Sequence, residues 1–530
     1  MDMFMSNLKQ TTLDHNNVAF SDNGAKMYGS TGHALLDLNF SVSRMRDMDE
    51  GLIVEKFLAA FQEDPVLATK WLFYARDVRE GLGERRLFNV IFKWMATERP
   101  MIYRRLVKYV SEYGRWDDLI NLIGTDLERD AFRVIAKQFG KDLDDMKAGK
   151  SVSLLAKWIP SIATTSADSR RQALKISKYI GVSVPAYRKL VTKLRKYIDV
   201  LEVKMTARQW DAIDYSKVPS RANMLYAKAF LRHDQERREA FLDAALRGEV
   251  KMNSGMVYPH EIAHPFISDD YDPNEINGIE AMWKNLPAAP LGSRTIVVAD
   301  GSGSMTRQVS RNSTVTCLDV AISLAIYFSQ YLEGPYKDRF ITFSENPQFV
   351  DLNGYDTLLD KVQKARQYTE IANTNIEKVF AMILETAVQS HLSQEELPDN
   401  ILIISDMEFD TCVCGNAINS RPNQLSPWGG WSRGYNQLTP NLFESIAGMY
   451  AAQGYKIPRV CFWNTYGGSG AIPMIQNDLG VALMSGFSIN NAKLIMSGKM
   501  DPYEALLDVL NSDRYADIFP AQCLDDCKAE

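Results

Sequence analysis

The sequence lacks any apolar run long enough to span a bilayer, and its start, MDMFMSNLKQ, lacks the basic-then-apolar order of a signal peptide. Both absences point to an intracellular, cytoplasmic protein with no membrane partner. Cysteine is scarce, six in 530 residues, at positions 317, 412, 414, 461, 523 and 527. They form no disulfide framework, and neither Cys412/Cys414 nor Cys523/Cys527 has zinc-site spacing, so reduced thiols are expected. Histidine is equally sparse at six residues, which matters for one motif. Residues 258–266 read YPHEIAHPF and contain HEIAH, a match to the zinc-protease pattern H-E-x-x-H. That chemistry needs a helix placing His260 and His264 on one face, with Glu261 angled at the bound water. Pro265 follows the second histidine and pushes it away from helical geometry. The other imidazoles, His15, His33, His233 and His391, offer no third ligand at a recognisable spacing. A structural turn with two buried or capping histidines is expected, not a protease.

What is present is ordinary in bulk: 46% hydrophobic, 24% charged and 10% aromatic residues. The length supports about two to four domains, each with its own core. A net charge of −6 conceals an asymmetry. Residues 1–290 carry 43 Lys+Arg against 39 Asp+Glu, whereas residues 291–530 carry 17 against 27.

The halves also differ in texture. Stretches 54–62, 87–97, 103–113 and 223–246 repeat apolar residues at three- and four-residue intervals, separated by short breaks such as GLGE and YGRWDD. Successive short helices predict an all-α, HEAT-like repeat array, a ring or arc, over residues 1–286. The proline- and glycine-containing LPAAPLGSR makes residues 287–294 a linker. Beyond it, β-branched runs at 295–300, 339–344, 400–406, 459–464 and 481–486 alternate with helical stretches at 315–332, 354–366, 375–390, 441–453 and 502–510. That alternation predicts a doubly wound, mostly parallel α/β domain over 295–530.

At the end of the first of these strands stands DGSGS, residues 300–304. Sites of open parallel sheets lie at the carboxyl ends of strands. Asp300, Ser302 and Ser304 alternate with glycines that permit a tight turn, and offer an oxygen-only donor set suited to Mg²⁺ or another hard divalent cation. Thr374, just before a helix, and Asp406, at another strand end, complete the set. This order resembles the metal-ion-dependent adhesion site (MIDAS) of von Willebrand factor A domains. The resemblance implies that Asp300, Ser302, Ser304, Thr374 and Asp406 hold the ion, some through water. It further implies a protein partner whose acidic residue takes the open position.

Between Asp168 and Asp199 no acid occurs, but nine bases do: Arg170, Arg171, Lys175, Lys178, Arg188, Lys189, Lys193, Arg195 and Lys196. Arg171/Lys175/Lys178 and Lys189/Lys193/Lys196 follow i, i+4, i+7 spacing, which on helices makes two positive stripes fit for a phosphate backbone. Tyr179, Tyr187 and Tyr197 lie among them, for stacking on bases or for packing. A helical half followed by a von Willebrand A domain resembles the Ro ribonucleoproteins, in which a helical ring (the TROVE module) is closed by that domain. STGHALLDLNF (30–40), FYARDVREGLGERRLF (73–88), YSKVPSRANMLYAKAF (215–230), VYPHEI (257–262) and SDMEFD (405–410) are similar to a poorly characterised viral, bacterial and plant family of that architecture. The resemblance implies RNA, structured or single-stranded, as a partner, with contacts sought on the basic stretch. SPWGGWSRGY (426–435) adds Trp428 and Trp431, as a contact surface near the metal or a cover over the sheet edge. The expectation is a non-enzymatic RNA-binding scaffold with a Mg²⁺-dependent docking domain; the alternative is a protein–protein adaptor that uses the metal site without RNA.

Overall fold

The computed structural model describes residues 3–125, 128–289, 291–292, 294–368, 375–410 and 441–519. The chain divides into two compact units, one of residues 1–49 and 257–509, the other of residues 50–256 and 510–530. These differ from the linear division at 286 and 295. The first 49 residues and the helices near 260–284 join the sheet, and the end of the chain returns to the helical unit. Such long-range packing leaves no local mark in sequence.

In the sheet unit a hairpin, β1 (Val18–Phe20) and β2 (Lys26–Tyr28), precedes the main strands. These are β3 (Thr295–Asp300), β4 (Arg339–Phe343), β5 (Gln348–Asp351), β6 (Asn400–Ser405), β7 (Arg459–Asn464) and β8 (Val481–Ser485). Their order is β5-β4-β3-β6-β7-β8, parallel except for β5, which runs antiparallel to β4 at one edge. β7 and β8 are buried along their whole length, as is nearly all of the helix Cys317–Ser329. Burial on both faces explains why these strands read as continuous apolar runs rather than alternating ones. The chain leaves β3 towards β4 on one side and later returns as β6 on the other. That reversal is the topological switch point, where the loops after adjacent strands diverge and leave a crevice.

The helical unit is built of successive helices such as Glu50–Glu63, Pro65–Arg76 and Arg85–Glu98. Asp64 caps the second, accepting from the backbone of Val66 and Leu67 at 2.8 and 2.9 Å, with Pro65 in the first turn. Phe73, Phe88, Phe92 and Tyr113 stack and edge together in its core. Burial of each such ring contributes about 1.5–3 kcal/mol. The segment 73–88 also builds a buried ionic cluster. Arg76 pairs with Asp118 at 2.7 Å with both side chains almost fully buried, and Arg85 reaches the other Asp118 oxygen at 2.9 Å. Asp77 receives Arg514 at 2.8 Å and the Tyr515 hydroxyl at 3.1 Å. Gly81 is required there, because a Cβ would lie 2.0 Å from the carbonyl oxygen of Tyr74.

HEIAH lies on a helix, Pro259–Ile267, that continues through Pro265, contrary to the sequence expectation of a turn. The proline forfeits one intrahelical bond, and Ser268 still donates to the carbonyl of His264 at 2.8 Å. The zinc-binding arrangement is nonetheless taken up by other contacts. Glu261 accepts from the backbone of Tyr258 as a helix cap, and the two ring nitrogens of His264 lie 3.1 Å from Asp319 and 3.2 Å from Thr314. Buried His260 packs between Tyr258 and Phe487.

Candidate metal centre and basic face

β3 and β6 are neighbours, in a register that pairs Ala299 with Ile404, so Asp300 and Ser405 come side by side at the strand ends. The Ser405 hydroxyl donates to Asp300 Oδ2 at 2.6 Å, and the backbone N–H of Ser302 donates to Oδ1 at 2.9 Å. Ser302 and Ser304 bring their hydroxyl oxygens within 3.1 Å of each other. Asp406 follows β6 directly. Its Oδ1 accepts from the backbone of Glu408 at 3.2 Å, while its Oδ2 is buried and has no hydrogen-bond partner among the described residues. Met407, next in the chain, holds a left-handed φ of 65°, a strained conformation that is common beside functional groups. Four of the five predicted residues therefore come from the two loops at the switch point; Thr374 lies outside the described residues, as do Trp428 and Trp431.

Burial and the nearby Asp406 push the Asp300 carboxyl up to about 7, and burial likewise raises that of Asp406. Two adjacent buried carboxylates destabilise each other's charged forms, and a buried acceptor without a donor costs free energy. A hard divalent cation would relieve both costs. The donor set, two carboxylates and two hydroxyls with one orphaned carboxylate oxygen, fits such an ion. Among the described residues no group of three or more His, Cys, Asp or Glu is placed to hold a metal. Sequence reasoning missed Ser405, which orients Asp300, and Glu408, which is buried two residues beyond Asp406. Neither carries a motif of its own.

The basic stretch forms two helices of the helical unit, Ala167–Tyr179 and Val184–Tyr197, joined by a glycine-containing turn. Ser166 and Ser183 cap them, accepting from Ser169 and Ala186. Tyr187, Val191 and Leu194 are the buried face of the second helix, and helical spacing sets Lys189, Lys193 and Lys196 opposite them, exposed. On the first helix, Ala173, Ile176 and Ser177 are buried, with Arg171, Lys175 and Lys178 on the other side. Lys175 pairs with Glu128 at 2.7 Å, and Arg171 sits 3.4 Å from Asp168. Arg170, Lys178, Arg188, Lys189, Lys193 and Lys196 are exposed and make no ion pair among the described residues. Arg195 is different: half-buried, it donates to the carbonyls of Ala156 and Ile159 and to the Ser161 hydroxyl at 2.6–2.8 Å. Tyr187 is buried against Phe139, whereas Tyr179 and Tyr197 remain about two-fifths exposed.

With this geometry established, the chain can be compared with known proteins. Residues 21–137 and 162–288 match a domain of unknown function, DUF2828, and residues 294–517 match another, DUF7788. An uncharacterized protein of Acanthamoeba polyphaga mimivirus is 29% identical over 93% of this chain and 87% of its own length. The family resemblance read from the sequence is borne out. The crystal structure of the Deinococcus radiodurans RO (RSR) protein aligns over 87% of this chain and 99% of its own, with a TM-score of 0.43 and 14% identity. That likeness is loose, and no residue is carried across from it. No helix among the described residues is long and apolar enough to cross a membrane.

Proposed function

We propose that the protein is a non-enzymatic RNA-binding scaffold whose sheet unit docks an acidic partner through a divalent cation. The observation that carries the RNA reading is the set of six exposed bases, without an ion pair among the described residues, on the outward faces of two neighbouring helices. A phosphate backbone supplies the missing anions and releases its own counterions in doing so. Exposed Tyr179 and Tyr197 beside them offer ring faces to unstacked bases. Asp300, Ser302, Ser304 and Asp406 would hold Mg²⁺, with Thr374 as the fifth residue of the set. The bound ion supplies an electrophilic anchor for a partner's carboxylate. The chain's own part is to fix the two acids by Ser405 and the Ser302 and Glu408 amides, and to keep them dry.

The second reading, an adaptor that captures a partner carboxylate without RNA, is favoured by the orphaned Oδ2 of Asp406. One experiment separates the two. The full chain is purified without nuclease, its 260/280 nm absorbance ratio recorded, and any nucleic acid sequenced. RNA that co-purifies with the wild type and is lost when Lys178, Lys189, Lys193 and Lys196 become Glu supports the scaffold. A nucleic-acid-free protein that captures no RNA at low salt contradicts it and leaves the adaptor.

A further inference from the structure

The loop that leads into the helix Cys317–Ser329 carries an arrangement that neither the RNA nor the cation reading uses. The loop is pinned within the sheet unit. The backbone N–H of Arg311 lies 3.2 and 3.1 Å from the two carboxylate oxygens of Asp47. Val309 donates to the carbonyl of Val315 at 3.0 Å, and Gln308 bridges to Thr316. On this loop Thr314 is exposed, with its hydroxyl 3.2 Å from Nε2 of His264. The other ring nitrogen, Nδ1, lies 3.1 Å from Oδ2 of buried Asp319. An ionised carboxylate only accepts, so Nδ1 carries the proton and the Nε2 lone pair faces the Thr314 hydroxyl. Asp319 is itself fixed, since its Oδ2 accepts from the backbone of Thr316 at 2.7 Å in the cap of its helix. A hydroxyl, an imidazole and a carboxylate linked in that order are the parts of an activated nucleophile. Among the described residues Thr314 makes no other hydrogen bond, so its hydroxyl has no further duty in the fold.

We propose that Thr314 is an acyl-acceptor site, at which the sheet unit takes an acyl group from an activated ester or thioester. Its Oγ bonds to the acyl carbon, and the bond from that carbon to the leaving oxygen or sulfur breaks. The hydroxyl proton passes through Nε2 of His264 to the leaving atom, so the exchange is redox-neutral. Asp319 is a positioning residue that holds the imidazole in the required tautomer. It also holds His264 above its usual range, with Asp270 adding to the rise, and so strengthens Nε2 as a base. The same two carboxylates disfavour a phosphoryl group, which would bring about two negative charges beside them, whereas an acyl group brings none. The reaction is a stoichiometric self-modification without turnover, and the scaffold reading does not depend on it.

The test is incubation of the full-length protein with p-nitrophenyl acetate on the alkaline side of the His264 value, where the ring is neutral. Peptide mass spectrometry then locates and times each acetyl group. The wild type should gain an acetyl group on Thr314, and Thr314→Ser, which keeps the hydroxyl, should gain one at the same position. Thr314→Val loses only an exposed hydroxyl, so it should melt as the wild type does and gain none there. His264→Gln should acetylate Thr314 about a hundredfold more slowly, the lower end of what a placed general base contributes. Thr386, exposed and with its hydroxyl donating to the carbonyl of Met382 at 2.8 Å, is a control within the same chain that holds even where His264→Gln fails to fold. Thr314 should outpace it in the wild type by a similar factor. An unmodified Thr314 in the wild type, a rate equal to that of Thr386, or a folded His264→Gln that reacts as fast as the wild type would each overturn the proposal.

Discussion

The basic helix pair of the helical unit and the Asp300–Asp406 site of the sheet unit both carry charged groups with no ion pair among the described residues, but those of the first are exposed and those of the second buried. Water solvates Lys189, Lys193 and Lys196 at almost no cost, so their stripe is compatible with binding and with mere solvation. Burial removes that freedom from Asp300 and Asp406. Their carboxyls are pushed upward and one oxygen lacks a donor among the described residues, a cost that protonation or a bound cation would relieve. A third case calibrates both. Asp118, equally buried, faces the guanidinium groups of Arg76 and Arg85, and is a structural acid because its partners come from the same unit. Burial with a partner reads as architecture, and burial without one reads as a site.

Four outcomes would break or sharpen that contrast. The largest belongs to the matched pair. Asp118→Ala strands the buried Arg76 and should cost about 3–5 kcal/mol, read as a lowered midpoint in urea. Next comes the unmatched pair. Saturating Mg²⁺ should stabilise the wild type by about 2.7 kcal/mol at a hundredfold excess over Kd. Thermal melts of Asp300→Asn and Asp406→Asn should be unmoved by Mg²⁺ or EDTA; an equal shift in these variants would detach the effect from the site. Third, Arg195→Ala should cost about 2 kcal/mol through its three lost hydrogen bonds, whereas Lys193→Ala on the same helix should stay within about 0.5 kcal/mol. Equal losses would mean that the stripe is not free of structural duty. The smallest effect is a pH dependence. Asp319 holds the His264 imidazole above its usual range, with Asp270 adding to the rise. A folded value above the unfolded one stabilises the protein fully below about pH 6.5 and loses that contribution as pH rises through the folded value. Melts compared between pH 5.5 and 8.5 should show His264→Gln lacking a loss of up to about 1 kcal/mol that the wild type suffers.

Much of the sheet unit was legible because both faces of its strands are covered. Continuous runs such as TIVVAD and RVCFWN have no other use, and β3 and β7 coincide with them. β5 was missed because Gln348–Asp351 is a short, partly polar edge strand, and the β1–β2 hairpin because its three-residue strands carry too little pattern. DGSGS and Asp406 were visible as a spaced motif. Ser405 and Glu408 were not, since their contacts arise from register and from a turn nearly four hundred residues distant in sequence. Arg195 shows the converse. Its place in a basic run suggested a surface charge, but the carbonyls it binds make it an anchor. Charge counts along the chain cannot separate these two uses, whereas hydrogen bonds do.

The most direct test of the scaffold reading is the salt dependence of single-stranded RNA binding, followed by fluorescence anisotropy. It compares the wild type with the variant in which Lys178, Lys189, Lys193 and Lys196 become Ala. The logarithm of the wild-type affinity should fall linearly with the logarithm of KCl concentration. Losing four phosphate contacts should make that slope shallower by about 3, at roughly 0.7 per contact. A wild type that binds RNA with the same slope as the variant, or that binds none at low salt, would contradict the assignment of RNA to this helix pair.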